Sequence, residues 1–187
     1  MKLVVGLGNP GEKHRTDRHN AGFTLLDRLC SEREVKLREN QKFKAMEGVD
    51  SYGIRFLKPL TYMNDSGDSV KSFAQYYRIP PELILVLHDE LDLAAGEVKL
   101  KRGGGSGGHN GLRSIEQYLS SKDYCRIRVG IGRPKGGQSV TSYVLSPPSQ
   151  EQSRAIDIGT QKVVQHINDL LSGYFDRAMN LLNQRDP

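Results

Sequence analysis

The 187-residue chain is 36% apolar and carries a net charge of +5, which suits one domain with a real core and is short for two. Its apolar runs are far shorter than the ~20 residues of a membrane-spanning helix, and it opens straight into a strand-like segment with no basic-then-apolar leader, so a soluble, cytoplasmic protein is expected. Cys30 and Cys125 stand far apart among apolar neighbours, and no two of the five histidines have metal-ligand spacing, which speaks against a disulfide scaffold, a redox pair and a metal site.

Lys2–Leu7 reads as a buried strand, and a turn-rich, charged loop follows from Gly8 to His19. Asn20 is the expected cap of a helix carrying Phe23, Leu26, Leu29 and Cys30 at helical spacing. Lys42–Val49 and Tyr52–Lys58 read as two strands joined by Asp50-Ser51, a hairpin closed by Pro59. Asn64–Arg78 reads as a helix with Val70, Phe73 and Tyr77 on one face, ended by Ile79-Pro80-Pro81. Leu83–Leu87 is a continuous apolar run, the signature of a central strand covered on both faces. Glu97–Lys101 and Tyr124–Ile131 alternate, as half-buried strands do. Between them lie the glycine-rich loop Gly103–Gly111 and a short helix, Leu112–Leu119. The loop Arg133–Gln138 reads as a hinge. Ser149 with Gln152 forms a capping box that opens a long helix stopped at Gly173, and a last helix carries Phe175, Met179 and Leu182. Strands alternating with helices, plus one hairpin, imply an α/β fold: a single globular domain with a twisted, mixed, mostly parallel sheet flanked by helices. No long apolar stripe is left over, so a monomer is expected.

Gly6-x-Gly8-x-x-Gly11 matches the dinucleotide-binding fingerprint in spacing. The fingerprint needs its helix to begin inside the glycine turn, and an acid at the end of the next strand. Here helical periodicity starts only near Asn20, and Asp27 falls inside that helix. The glycines are therefore read as a sharp turn that presents Asn9 at the end of the first strand. Gly104-Gly105-Ser106-Gly107-Gly108 likewise matches the nucleophile-elbow pattern. A run of glycines matches almost any glycine pattern, however, so a Ser106 nucleophile is not expected.

Other candidates gather where the strands end. His19 lies at the mouth of the first helix, and the central strand delivers His88-Asp89-Glu90 at its carboxyl end, the edge where open α/β sheets bind ligands. A His beside an Asp makes a general base with an orienting carboxylate. Tyr62-Met63-Asn64 and His109-Asn110-Gly111 add two amides at helix starts. Residues 99–135 hold nine Lys or Arg against two acids, so the positive excess is local and marks a polyanion footprint. Lys99 and Lys101 project from one strand and Arg126 and Arg128 from another. If those strands are neighbours, the four form a phosphate-binding rim.

VVGLGNPG (4–11), DRHNAGF (17–23), KPLTYMNDSG (58–67), HDELDL (88–93), GGGSGGHNGLRS (103–114) and RIRVGIGRP (126–134) resemble, in order, the motifs of bacterial-type peptidyl-tRNA hydrolases, from residue 2 to about 145. The resemblance implies an esterase that cleaves peptidyl-tRNA and recycles tRNA from abandoned translation, without metal or cofactor. It implies His19 as the base, Asp89 as its stabiliser, and Asn9, Asn64 and Asn110 as groups holding substrate and water. Tyr62 and Met63 would line the cleft, the residue at position 14 would contact tRNA, and Lys101 and Arg128 would clamp phosphate. The chain departs from the family pattern at His14, where Tyr is usual, and at Asp17, where Thr is usual. The alternative is an RNA-binding relative that keeps the fold without catalysis; retention of Asn9, His19 and Asp89 together argues against it.

Overall fold

Leu3, Val4 and Val5 are all fully buried, as a strand covered on both faces requires. They open β1 (Leu3–Gly6), which is followed by α1 (Ala21–Glu32), β2 (Arg38–Asn40), β3 (Ala45–Val49), β4 (Arg55–Pro59) and α2 (Ser66–Tyr76). Next come β5 (Ile84–Glu90), β6 (Val98–Arg102), α3 (Asn110–Leu119), β7 (Cys125–Gly130), α4 (Val140–Val144), α5 (Gln150–Leu171) and α6 (Phe175–Asn183). The computed structural model describes residues 1–184.

The strands form one seven-stranded sheet in the order β2-β3-β4-β1-β5-β7-β6. Its centre is parallel, through the pairs β1 with β4, β1 with β5 and β5 with β7. The margins are antiparallel, through β2–β3, β3–β4 and β6–β7. The two faces carry separate cores. Val4, Leu85, Leu87 and Ile127 pack with α1, α5 and α6, while Leu3, Val5, Val86 and Tyr124 pack with α2 and α3. A mixed sheet with a parallel centre flanked by helices is the fold class expected from the sequence. α1 follows β1 and packs on one face, whereas α2 follows the neighbouring β4 and packs on the other, and the carboxyl ends of the central strands border an open crevice.

Two of the three fingerprint glycines serve packing, while Gly11 has open space around it and takes a φ of +98°. A Cβ on Gly6 would lie 2.7 Å from the Gly22 carbonyl oxygen, and one on Gly8 would lie 2.5 Å from the Phe23 ring. The glycines let α1 press against the end of β1, and the helix begins at Ala21, well past the glycine turn. That is the wrong place to receive a pyrophosphate.

Several element boundaries differ from the sequence expectations. Lys42 and Phe43 belong to a 3₁₀ turn, and the strand begins only at Ala45, because Lys44 takes a left-handed conformation with φ 50°. The second strand of the hairpin begins at Arg55, since Asp50 Oδ1 accepts from the backbone of Tyr52 and Ile54 and holds those residues in a turn. Asn64 sits in a 3₁₀ turn ahead of α2. β5 runs on to Glu90, so His88 and Asp89 are strand residues. The edge strand β2 and the short helix α4 carry too little periodicity to be read from sequence. The Ser149–Gln152 capping box forms as expected.

Candidate active site

Several segments meet at the carboxyl edge of the sheet and line a cleft of about 650 Å³. Asn9 comes from the turn after β1, His19 from a 3₁₀ turn (Arg18–Asn20) and Asp89 from β5. Tyr62, Met63 and Asn64 follow β4, and His109 and Asn110 open α3. Val140, Thr141, Val144 and Leu145, on or next to α4, make an apolar wall opposite.

At the floor, His19 Nδ1 donates to Asp89 Oδ1 at 2.9 Å, and His109 Nε2 donates to the same oxygen at 2.9 Å. The His109 tautomer follows from its other nitrogen. Nδ1 caps α3 and accepts the N–H groups of Gly111 and Leu112, so the ring proton sits on Nε2. Burial alone would raise the Asp89 pKa, but the two imidazoles outweigh it and hold the carboxyl far below the ordinary carboxylate range. Burial also opposes charge on His19, yet the Asp89 carboxylate, with Asp17 further off, raises its pKa above the ordinary histidine value. With Nδ1 bound to Asp89, the Nε2 lone pair of His19 is the basic atom left for the cleft. His88 behaves differently. It is fully buried, donates through Nδ1 to the Asp89 carbonyl, and is held neutral by burial and by neighbouring His109.

The ligand atoms of His19, Asp89 and His109 lie within 4.8 Å of one another, a spacing a metal ion can use. The His109 tautomer opposes such a site. A metal-bound imidazole normally donates its second N–H, whereas His109 Nδ1 is an acceptor, so ligation through Nε2 would strip the ring of its only proton.

Asn9 is fixed from three sides. Its N–H donates to Asn20 Oδ1 at 2.8 Å, Asn20 Nδ2 returns a bond to the Asn9 carbonyl at 3.0 Å, and Asn9 Oδ1 accepts from Met63 N at 2.8 Å. Its Nδ2 is thus the end of the amide left to donate. Asn64 and Asn110 line the cleft exposed, and neither caps a helix or has a side-chain partner among the described residues. Ser106 lines the cleft too, but among the described residues no histidine bonds to its hydroxyl.

Not every expected residue stands where the sequence suggested. His14 lies outside the cleft lining, mostly covered, with Nδ1 bound to Asp17 Oδ2 at 2.7 Å. β6 and β7 are neighbours, with Lys99 opposite Arg128 and Lys101 opposite Arg126. The four-cation rim nevertheless needs correction. Arg126 is 3% exposed and donates to the carbonyls of Gly105 and Gly103. Lys99 pairs with Glu97 and Arg128 with Glu90, which leaves Lys101 as the exposed cation of the four with no acidic partner among the described residues. Sequence reasoning also missed His109, Asn20 and Arg18 as site-forming groups. Buried Arg18 stacks on Tyr143 and donates to the Tyr143 and Ser146 carbonyls, the Ser146 hydroxyl and Gln152, which ties the His19 turn to α4. The repeated His-Asn pair at the start of α1 and of α3 is the signal that would have drawn attention to His109.

The profile of the family described as peptidyl-tRNA hydrolase matches residues 3–187. The peptidyl-tRNA hydrolase of Halorhodospira halophila is 46% identical over 98% of this chain and 96% of its own length. That of Neisseria meningitidis is 45% identical over 99% of this chain and 98% of its own. The solved peptidyl-tRNA hydrolase of Acinetobacter baumannii superposes with a TM-score of 0.95 at 39% identity, covering 100% of this chain and 96% of that one. No helix among the described residues is long and apolar enough to cross a membrane. With a matching profile, full-length relatives and a superposable fold, this chain belongs to the peptidyl-tRNA hydrolase family.

Proposed function

We propose that the enzyme hydrolyses the ester between a peptide and the terminal ribose of tRNA by general-base attack of water, with His19 as the base. The observation that carries this reading is the 2.9 Å bond from His19 Nδ1 to Asp89 in a cleft edged by the carboxamides of Asn64 and Asn110, which have no side-chain partner among the described residues. His19 Nε2 takes a proton from water as the water oxygen bonds to the ester carbonyl carbon. Asp89 favours the imidazolium so formed. The amides of Asn9, Asn64 and Asn110 supply donors for the water and for the developing oxyanion. Collapse of the tetrahedral intermediate breaks the bond to the ribose oxygen, which takes the proton back from His19. A positioned base of this kind contributes about 10²–10⁴-fold.

The apolar wall of α4, with Tyr62 and Met63, suits side chains of the peptide. Lys101, with Arg128 beyond it, suits phosphates at the tRNA end, and such contacts carry no base sequence. His14, on a turn before His19 and outside the cleft lining, is the further proposed contact to tRNA. The enzyme needs no second subunit for this chemistry and acts as a monomer in the cytoplasm, where abandoned peptidyl-tRNA arises.

The competing chemistry on the same cleft is a Ser106 acyl-enzyme. Single-turnover cleavage of an N-blocked aminoacyl-tRNA by Ser106→Ala distinguishes the two. Wild-type rate and no trapped acyl-enzyme are expected; a dead Ser106→Ala enzyme, or a burst ahead of steady state in the wild type, would replace His19-activated water with covalent catalysis.

A further inference from the structure

The loop from Gly103 to Gly108 holds five glycines and one serine, with φ positive at Gly103, Gly104, Gly107 and Gly108. Such a segment has more conformational freedom to lose than any other of its length. Yet it ends on His109, whose Nε2 must stay 2.9 Å from Asp89, and on Asn110, which faces the cleft. Two backbone bonds brace it, from Gly103 N to the Tyr124 carbonyl and from His109 N to the Ser106 carbonyl. Among the described residues, the side chain that bonds to its backbone is Arg126, with Nη2 on the Gly103 carbonyl at 2.5 Å and Nη1 on the Gly105 carbonyl at 3.0 Å.

Alternation along β7 puts Arg126 on the same face as Arg128, where a phosphate contact was the natural expectation. Its burial removes it from that task. A buried cation whose hydrogen bonds all go to carbonyls of one loop is placed to fix the loop. The planar guanidinium reaches both carbonyls with one rigid fork, which a compact ammonium cannot do.

We propose that Arg126 is a positioning residue for hydrolysis: it clamps loop 103–108 and thereby holds His109 on Asp89 and Asn110 in the cleft. It acts through those residues without touching substrate. The inference rests on the His19–Asp89 reading of the site.

The test is Arg126→Lys, which keeps the charge and removes the fork. A phosphate role would largely survive this change, and a clamp would not. In single turnover the cleavage rate should fall about 10- to 100-fold, the cost of a small misplacement of catalytic groups. The affinity for tRNA and its salt dependence should stay at wild-type values. Hydrogen exchange should quicken across residues 103–112. The groups facing His19 are Asp89, His109 and Asp17; once His109 slips, more of the Asp89 charge acts on His19, and the acid limb of the rate should move to higher pH.

A wild-type rate would overturn the proposal, as would a slower rate with unchanged loop exchange. Wild-type cleavage by Arg126→Lys, with weaker tRNA binding and a smaller salt slope in the charge-removing Arg126→Ala, would make Arg126 a phosphate ligand. A lower Tm with rate, acid limb and exchange unchanged would make it structural only. A glycine inserted between the exposed Gly107 and Gly108 is a second variant that leaves buried Arg126 alone. It slackens the link from clamp to His109 and should slow cleavage and shift the acid limb in the same way; wild-type behaviour there also overturns the proposal. Failure of the site reading itself shows separately, as His19→Ala cleaving like the wild type.

Discussion

Asn9 and Asn20 hold each other by a reciprocal pair of hydrogen bonds, backbone N–H to side-chain oxygen at 2.8 Å and side-chain nitrogen to backbone carbonyl at 3.0 Å. Asn20 is the residue at the N-cap position of α1, yet its side chain makes no capping bond; it is spent on aiming Asn9. Asn20→Ala should therefore cost activity with little loss of helix stability. The expected fall in kcat is about 10- to 100-fold, from a misplaced Asn9, read in a steady-state assay alongside Tm. Asn20→Asp keeps the acceptor and loses the donor, and should fall between.

His109 shares the carboxylate oxygen of Asp89 with His19 and caps α3. His109→Ala should move two observables at once. Losing a cap costs about 1 kcal/mol of stability, measured by urea unfolding. Losing one of two donors leaves more of the Asp89 charge for His19, so the acid limb of kcat/KM should shift to higher pH. His109→Ala with a lowered Tm and an unmoved acid limb would mean that His109 serves the helix alone.

Lys101 is exposed without an acidic partner among the described residues, whereas Arg128 is bound to Glu90 at 2.8 Å. Lys101→Ala should weaken tRNA binding and reduce its salt slope by about 1 with kcat unchanged. Glu90→Gln frees Arg128 and removes a negative charge, so it should tighten binding and steepen the slope. Titrations of labelled tRNA at several salt concentrations check both.

The buried histidines pull stability in opposite directions with pH. His19 has a raised pKa in the fold, so its contribution is fully present below the unfolded value of 6.5 and is lost as pH rises through the folded pKa. His88 has a lowered pKa; the unfolded chain takes up a proton that the folded one resists, and stability erodes as pH falls through 6.5. Between about pH 7.5 and pH 5.5, a window around the ordinary histidine value, His88→Gln should flatten the acid loss of Tm. His19→Ala should steepen it.

Much of this was legible in the chain. The apolar runs of β1 and β5 and the capping box of α5 announce themselves locally, and the sheet edge collects His19, Asp89, Asn9, Asn64 and Asn110 because strand ends do so in this fold class. What was not legible depends on crossings. Alternation put Arg126 on a polar face of β7 correctly, but the glycine loop lies over that face and takes its hydrogen bonds. Asn20, the expected cap of α1, turns its side chain to Asn9 instead, and His109 both caps α3 and binds Asp89; residue type at a helix start does not distinguish these uses. Helix α4 has five residues, too few for a periodic signal, and its place beside the site depends on Arg18, which looks like a surface charge until it is found buried under Tyr143.

The decisive measurement is release of peptide from an N-blocked aminoacyl-tRNA by wild type and His19→Ala at one salt concentration, with tRNA binding measured for both. Cleavage by the wild type, loss of cleavage in His19→Ala, and equal binding are expected. Binding without cleavage by the wild type, or undiminished cleavage by His19→Ala, would contradict a His19-activated water and leave the Asn9–His19–Asp89 arrangement to be explained as an RNA-binding site.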